Sequence, residues 1–438
     1  MRTIVAALAF ALLPGQAGMP SVDRLTQTLA VTQAAEVTVT IRAACARCSW
    51  GAAGREAVAL RLSVDGRYSQ HLMLVRGEDA ADYDVSLGTL AAGRHQLTIE
   101  RDPDLSAAGA GPATIEVRRR SEIFVSAGND YAAASMSPIL YARPNTIGRF
   151  TDVPLLMWYE SERTALGRRI RYSVVFSNED GGTATDRLMA TWGRTTDIEF
   201  VYGVELDADG RVAREEFQGP GHEVPPFHGQ HEGHHPLLWV STDNNMVSES
   251  GPTQIRYAPA LEHVELPDVS REIVMDRHPW TYTVAALEMS REGKIVEDAK
   301  PGSGVIPDPR RFVHVEACAE LENASLAFAV RAADATGAVR WYESDRGVPE
   351  FRIVRTGCFR GAVPLPASAG PPDAIRFRGY SRRPKDAPEA RGSIVLTRVN
   401  KVFGLGSQFQ PNDSWFSWRG PATLRLDGEA LELPFRAP

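Results

Sequence analysis

Alternating hydrophobic and polar positions run through most of the chain, which is the pattern of half-buried β-strands. The first segments that show it are 37–43, 57–64, 67–75 and 94–100. Asp65-Gly66 between the second and third of these is a favourable two-residue hairpin turn. No long 3.6-residue or heptad stripe indicates a helical bundle. The pattern therefore predicts an all-β protein with several jelly-roll-like β-sandwich domains in tandem.

Turn-rich interruptions divide the chain into three predicted domains. The first spans 25–120 and resembles, in shape alone, the sandwiches used as accessory carbohydrate-binding modules. The second, central domain spans 121–265. The third spans 266–438 and begins with a strand predicted at 281–287.

Length and composition exclude several classes of protein. A chain of 438 residues is longer than one core usually organises, and 43% hydrophobic with 24% charged residues is ordinary globular usage. This excludes a wholly disordered chain, a collagen-like fibre and a coiled-coil rod. The net charge of −7 is too mild and too mixed to indicate a nucleic acid or an anionic membrane surface as partner.

The N-terminus resembles a secretory signal. Arg2 precedes an apolar run over 4–13, and Gly15 and Ala17 are small residues suited to cleavage. The run is too short to span a bilayer, which needs about 20 apolar residues. We therefore predict a signal peptide over 1–17, a secreted or periplasmic protein and no transmembrane segment.

Four cysteines, an even number, suit an oxidising compartment. Cys45 and Cys48 form one Cys-x-x-Cys pair, whereas a zinc ribbon needs two such pairs. A thioredoxin-like site would begin a helix, but Cys45 follows strand-like residues. We predict two structural disulfides, Cys45–Cys48 and Cys318–Cys358.

Half of the ten histidines lie in one short segment rich in glycine and proline, which predicts a loop. They are His222, His228, His231, His234 and His235. Imidazole is a common metal ligand and a general base near neutral pH. His231 and His235 with Glu232 between them match the spacing of a zincin motif, but Gly233 and Pro236 argue against the required helix. A solvated polar loop remains the alternative.

Two carboxylates lie upstream of this loop. Asp197 and Glu199 project from one face of a predicted strand, where they repel each other unless a cation, an arginine or a proton intervenes. Arg194 is placed to form an ordinary salt bridge with them. The alternative is that both carboxylates, His222 and at least one further histidine of the loop bind one divalent cation. Mixed oxygen and imidazole ligands favour zinc or manganese over calcium.

A second set of polar side chains follows the predicted strand over 237–242. Asp243, Asn244 and Asn245 can present a carboxylate and two amides to sugar hydroxyls. The same residue types also favour turns without binding anything. With Arg194 they form the predicted ligand-binding set.

The central domain resembles two related families in short motifs. The matching pieces are Asp152-Val153-Pro154, Asp197-Ile198-Glu199, Gly221-His222 and His235-Pro236 before a hydrophobic strand. They are similar to the vacuolar protein sorting 62-related family and to the necrosis- and ethylene-inducing-like proteins. The resemblance implies a β-sandwich whose Asp and Glu help to coordinate a divalent cation, and in the toxin-like family a site for sphingolipid headgroups. Arg194 and Thr196 stand where the toxin-like heptapeptide has histidines.

Two functions are compatible with these features. The first is an exported protein that binds an extracellular glycan or lipid headgroup, with a divalent cation in the central domain. The alternative is a metal-dependent hydrolase of an extracellular polysaccharide or ester. Neither a Gly-x-Ser-x-Gly elbow nor a nucleotide-binding glycine motif occurs, so no catalytic residue is identified from the sequence.

Overall fold

The computed structural model describes residues 23–382 and 391–435. About 47% of the structure is strand and 11% helix, and the strands form six separate sheets. The all-β prediction is confirmed. The signal peptide predicted over 1–17 lies outside the described residues.

The first two sheets form a β-sandwich. Its strands are β1 (Arg24–Val31), β2 (Ala35–Cys45), β3 (Ala59–Val64), β4 (Arg67–Met73), β5 (Ala81–Leu90), β6 (Gly93–Asp102) and β7 (Ala113–Phe124). The sheet orders are β1-β6-β3-β4 and β5-β2-β7, and side chains of both sheets share one core. Asp65 and Gly66 both have positive φ, 51° and 76°, as the predicted tight turn between β3 and β4 requires.

The next two sheets form the central sandwich. Its elements are α1 (Asn129–Ser135), β8 (Ile139–Tyr141), β9 (Pro154–Arg163), β10 (Gly167–Phe176), α2 (Thr185–Trp192), β11 (Asp197–Asp207), β12 (Val212–Phe217), β13 (His231–Glu232), β14 (His235–Val240), β15 (Val247–Ser248), β16 (Arg256–Tyr257) and β17 (Leu261–His263). The sheet orders are β12-β11-β10-β9-β17 and β13-β14-β8-β16, with β15 paired to β14. Tyr172, Tyr202 and Phe176 are central in its core.

Two helices follow the central sandwich, α3 (Ile273–Arg277) and α4 (Trp280–Arg291). The strand predicted at 281–287 is therefore wrong. Thr281, Val284, Ala285 and Glu288 are all buried, and their spacing of three and four residues is that of one helical face. The residues at the start of α4 are β-branched and aromatic, as is typical of strands, so the helical spacing of buried positions is not evident from the sequence.

The last two sheets form the third sandwich. Its strands are β18 (Phe312–Glu322), β19 (Ala324–Ala333), β20 (Val339–Glu343), β21 (Gly357–Pro364), β22 (Ala374–Ser381), β23 (Ser393–Phe403), β24 (Phe416–Thr423) and β25 (Leu431–Pro434). The sheet orders are β21-β18-β23-β24 and β20-β19-β22-β25, packed around one core.

Both predicted disulfides are present. Cys318 and Cys358 occupy paired positions on the neighbouring strands β18 and β21. Cys45 and Cys48 close the turn that follows β2. None of the described helices is long and apolar enough to cross a membrane.

The first and central sandwiches are joined by backbone hydrogen bonds. The Ser86 amide of β5 donates to the carbonyl of Ala258 at 2.9 Å, and the Ala260 amide donates to the carbonyl of Asp84 at 3.0 Å. Helix α4 is also bound to the first sandwich, because the Trp50 indole donates to the Glu288 carboxyl at 2.8 Å. These bonds fix the relative position of the surfaces that face each other between the two sandwiches.

Candidate functional site

The carboxylate pair predicted on β11 is buried among polar partners. Asp197 is 1% exposed, and its Oδ2 accepts a hydrogen bond from Asn245 Nδ2 at 3.1 Å. Arg194 Nη1 lies 3.8 Å from Asp197 Oδ1, so the salt bridge considered as an alternative is formed. Burial, together with the nearby Glu199 charge, raises the pKa of Asp197 to about 8.

The hairpin through Asp209-Gly210 returns the chain towards the start of β11. As a result, the Gln218 amide after β12 donates to Glu199 Oε2. Burial raises the pKa of Glu199 as well. The two carboxyls therefore contact an arginine and two amides of the protein.

Four of the five clustered histidines are exposed, as expected for a solvated loop, and these are His222, His228, His231 and His234. His231 Nε2 lies 2.9 Å from Glu215 Oε1. His222 takes a positive φ of 63°, and its backbone amide faces Met246 Sδ at 3.4 Å. His231 and His235 belong to two short strands, β13 and β14, so the helix of a zincin is absent here.

His235 is the buried member of the cluster, and both ring nitrogens face protein groups. Its Nδ1 lies 2.8 Å from the carbonyl oxygen of Ser137 and its Nε2 lies 3.2 Å from Glu36 Oε2 on β2. His235 therefore links the central sandwich to the first.

The predicted metal ligands are thus dispersed. Within residues 23–382 and 391–435, no group of three or more His, Cys, Asp or Glu side chains is arranged to hold a metal ion. This geometry does not fit a zinc or manganese ion shared by β11 and the histidine loop. A divalent cation stays a prediction from the sequence alone.

The predicted ligand-binding residues after β14 do meet the start of β11. Besides its bond to Asp197, the Asn245 amide donates to the carbonyl of Asn178 at 3.1 Å. Asn245 is fully buried with φ +53°, a strained conformation that asparagine tolerates better than most residues. A Cβ at Gly181 would lie 2.8 Å from Asp243 Cβ, and one at Gly182 would lie 2.9 Å from Asn244 Cβ. Glycine is therefore needed where these two loops meet.

Arg143, which the sequence did not indicate, holds this loop junction together. Its buried guanidinium binds Asp152 and Asp243, and it lies 3.1 Å from Asp180 Oδ2. Burial, and then the Asp180 charge, raises the pKa of Asp152 well above its usual range. Asp180 and Asp243 also line an open polar cleft of about 490 Å³. The guanidinium is the hydrogen-bond donor that the three acidic side chains share.

A second cleft, of about 480 Å³, lies between the first and central sandwiches and is lined by both apolar and polar side chains. We call it the inter-sandwich cleft. One side is the outer face of the β5-β2-β7 sheet. This face contributes Thr38, Thr40, Asp82, Asp84, Arg119 and Ser121. The remaining lining comes from β4, from the start of β9, from 257–262 and from the start of α4.

Aromatic side chains line part of the inter-sandwich cleft. Trp280, the first residue of α4, is half-buried, and the Arg76 guanidinium lies 5.3 Å from the centre of its ring. Tyr83 and Tyr257 also line the cleft and are buried. The Tyr83 hydroxyl accepts a hydrogen bond from the Arg76 amide at 3.1 Å, which fixes its orientation.

The polar lining is held by hydrogen bonds. Thr40 donates to Asp84, and Gln70 Oε1 accepts from the Ala258 amide at 2.9 Å. Glu262 Oε2 lies 2.6 Å from His278 Nε2, and this hydrogen bond lowers the pKa of Glu262. These side chains are therefore positioned before any ligand arrives.

His71 lines the same cleft but has no free ring nitrogen. Its Nδ1 lies 2.6 Å from the Tyr68 hydroxyl and its Nε2 lies 3.1 Å from Asp102 Oδ2. Burial lowers the pKa of His71, which favours its neutral form. The hydrogen-bonded trio thus supports the cleft wall.

Searches of family models and of curated proteins found no match to this chain. The solved structures that are similar to about a quarter of it include the following two. One, described as the EclA C-terminal domain, a sugar-binding protein, is 20% identical over 25% of this chain and 83% of that chain, with a TM-score of 0.19. The other, the CBM35 from Cellvibrio japonicus Abf62, is 15% identical over 25% of this chain and 84% of that chain, with a TM-score of 0.16.

Proposed function

We propose that this protein binds a glycan in the inter-sandwich cleft. The observation that carries the proposal is the combination of a half-buried tryptophan with hydrogen-bonding side chains in one open cleft. Its volume lies within the range of about 300–1,000 Å³ typical of small-molecule sites, which often occur between domains. A sugar ring offers an apolar face that stacks on an aromatic ring and hydroxyl groups that pair with carboxylates and guanidinium groups.

We assign the protein to an extracellular or periplasmic location as part of this proposal. The predicted signal peptide motivates it, and the two disulfides support it, because such bonds persist mainly in oxidising compartments. Glycans are abundant ligands outside the cytoplasm, so location and ligand agree.

Replacing Trp280 by alanine is expected to weaken binding at least tenfold, about 1.4 kcal/mol, because the stacking surface is lost. The measurement begins with wild-type protein on a glycan array and continues by calorimetry with the best-binding oligosaccharide. Arg119→Gln should also weaken binding, since it removes an exposed guanidinium from the cleft without touching a core.

Trp415→Ala serves as the matched control. Trp415 is a 43% exposed tryptophan of the third sandwich and should have no effect on binding. An array without any bound glycan would contradict the proposal. So would a folded Trp280→Ala protein with wild-type affinity.

The hydrolase alternative has weaker support. A catalytic carboxyl must reach its substrate, whereas Asp197 is buried and Glu199 contacts Gln218. The divalent cation is a separate prediction that glycan binding does not require. Calorimetric titration of zinc or manganese into wild type and Asp197→Asn tests it independently.

A further inference from the structure

Charge is distributed unevenly in the inter-sandwich cleft. Three carboxylates line it, those of Asp82, Asp84 and Glu262, against the single guanidinium of Arg119. His71 adds no charge when neutral. Carboxylates thus outnumber guanidinium groups among the lining side chains, and the cations just beyond the lining decide which carboxylate keeps a net charge.

Nearby cations neutralise these carboxylates to different degrees. Arg277 Nη1 lies 3.4 Å from Glu262 Oε1, and Arg42 Nη1 lies 3.1 Å from Asp82 Oδ1. Asp84 is exposed to the cleft and accepts a hydrogen bond from the Thr40 hydroxyl, but within the described part of the chain it forms no ion pair. Its negative charge is available to a ligand.

Asp82 and Asp84 are neighbours on one wall of the inter-sandwich cleft. They are two positions apart on β5, so both project from the same outer face of the sheet, about 7 Å apart along the strand. Arg42 already pairs with Asp82, so Asp84 is the carboxylate of the two that remains to attract a positively charged group.

We propose that the inter-sandwich cleft selects glycans with free primary amines, of the glucosamine type, over N-acetylated and acidic glycans. This inference rests on the proposed glycan binding. The ammonium group donates a charge-assisted hydrogen bond to Asp84, which is roughly twice as strong as a neutral one. N-Acetylation removes that charge, and a uronate or sulfate group is repelled.

The test compares three tetrasaccharides by calorimetry at pH 6: glucosamine, N-acetylglucosamine and galacturonate tetramers. We expect the glucosamine tetramer to bind at least tenfold more tightly than the N-acetylated one. Asp84→Asn should reduce this preference to about threefold or less, with the larger loss of affinity for the glucosamine tetramer. Raising salt from about 0.05 to 0.5 M should weaken only the amine-bearing ligand, because screening acts on charge.

Asp209→Asn is the control, since this exposed carboxylate lies in the turn between β11 and β12. It should retain the wild-type preference. Equal affinity for the glucosamine and N-acetylated tetramers, or a preference for galacturonate, would overturn the amine selectivity and leave glycan binding intact. If no glycan binds, on the array or in solution, the proposed function fails as well.

Discussion

Arg360→Met is expected to lower the free energy of unfolding by about 3–5 kcal/mol, the range for breaking a buried ion pair by removing one partner. The Arg360 side chain on β21 is fully buried. Its Nη2 donates to Asp276 Oδ2 at 2.7 Å and to Glu316, and its Nη1 donates to the Tyr282 hydroxyl at 2.6 Å.

The cost arises because the carboxylates stay where they are. Without Arg360, Glu316 on β18 is buried and has no ion-pair partner among the described residues, and Asp276 on α3 keeps Lys401. The same guanidinium joins α3 and α4 to the third sandwich, so the variant should also loosen that contact.

Urea unfolding followed by tryptophan fluorescence measures the effect. Arg340→Met is the control, because Arg340 is exposed and pairs with Asp334 at the surface, where an ion pair contributes at most about 1 kcal/mol. A loss below 1 kcal/mol for Arg360→Met would mean that the buried cluster tolerates the missing charge.

The free energy of unfolding should decrease as the pH rises from 5 to 8. In Glu288→Gln this decrease should be about 2–3 kcal/mol smaller than in wild type. Burial, followed by the Glu292 charge, raises the pKa of Glu288 from 4.5 to about 7. The folded protein therefore keeps this proton at pH values where the unfolded chain has lost it. The resulting stabilisation is complete below about pH 4.5, declines as the pH rises and is gone above pH 7.

Glutamine at position 288 keeps an acceptor for the Trp50 indole but carries no charge. The thermal midpoint of the variant should therefore change less between pH 5 and pH 8 than that of wild type. Some pH dependence of stability should remain in the variant, because burial also raises the pKa of Glu179 to about 7 and that of Asp197 to about 8. Glu297→Gln, at an exposed site, should retain the wild-type slope; an unchanged slope in Glu288→Gln would contradict the assignment.

The elements predicted correctly from the sequence are those determined by residues that lie close together along the chain. Strands β2, β3, β4 and β6 follow from alternation, and the β3–β4 turn follows from Asp65-Gly66. Helix α4 was missed because Thr281 to Val284 favour strands locally, whereas the helix is stabilised by tertiary burial of one face.

The sites depend on distant parts of the chain. Asp197 and Asn245 were both selected from the sequence, but only the fold shows that they bind each other. Arg143 carries no local signal, because its partners lie up to 100 residues away. The inter-sandwich cleft combines Asp84 with Trp280, and no spacing rule relates two such positions.

The backbone hydrogen bonds between β5 and residues 258–260 also determine where this chain can be cut into fragments. A fragment that ends after β7 would lose the part of the cleft lining that includes Trp280 and would leave the edge of β5 unpaired. Unpaired edges recruit other strands and promote aggregation. Recombination or domain swapping between proteins should therefore not separate the first sandwich from the central sandwich and α4.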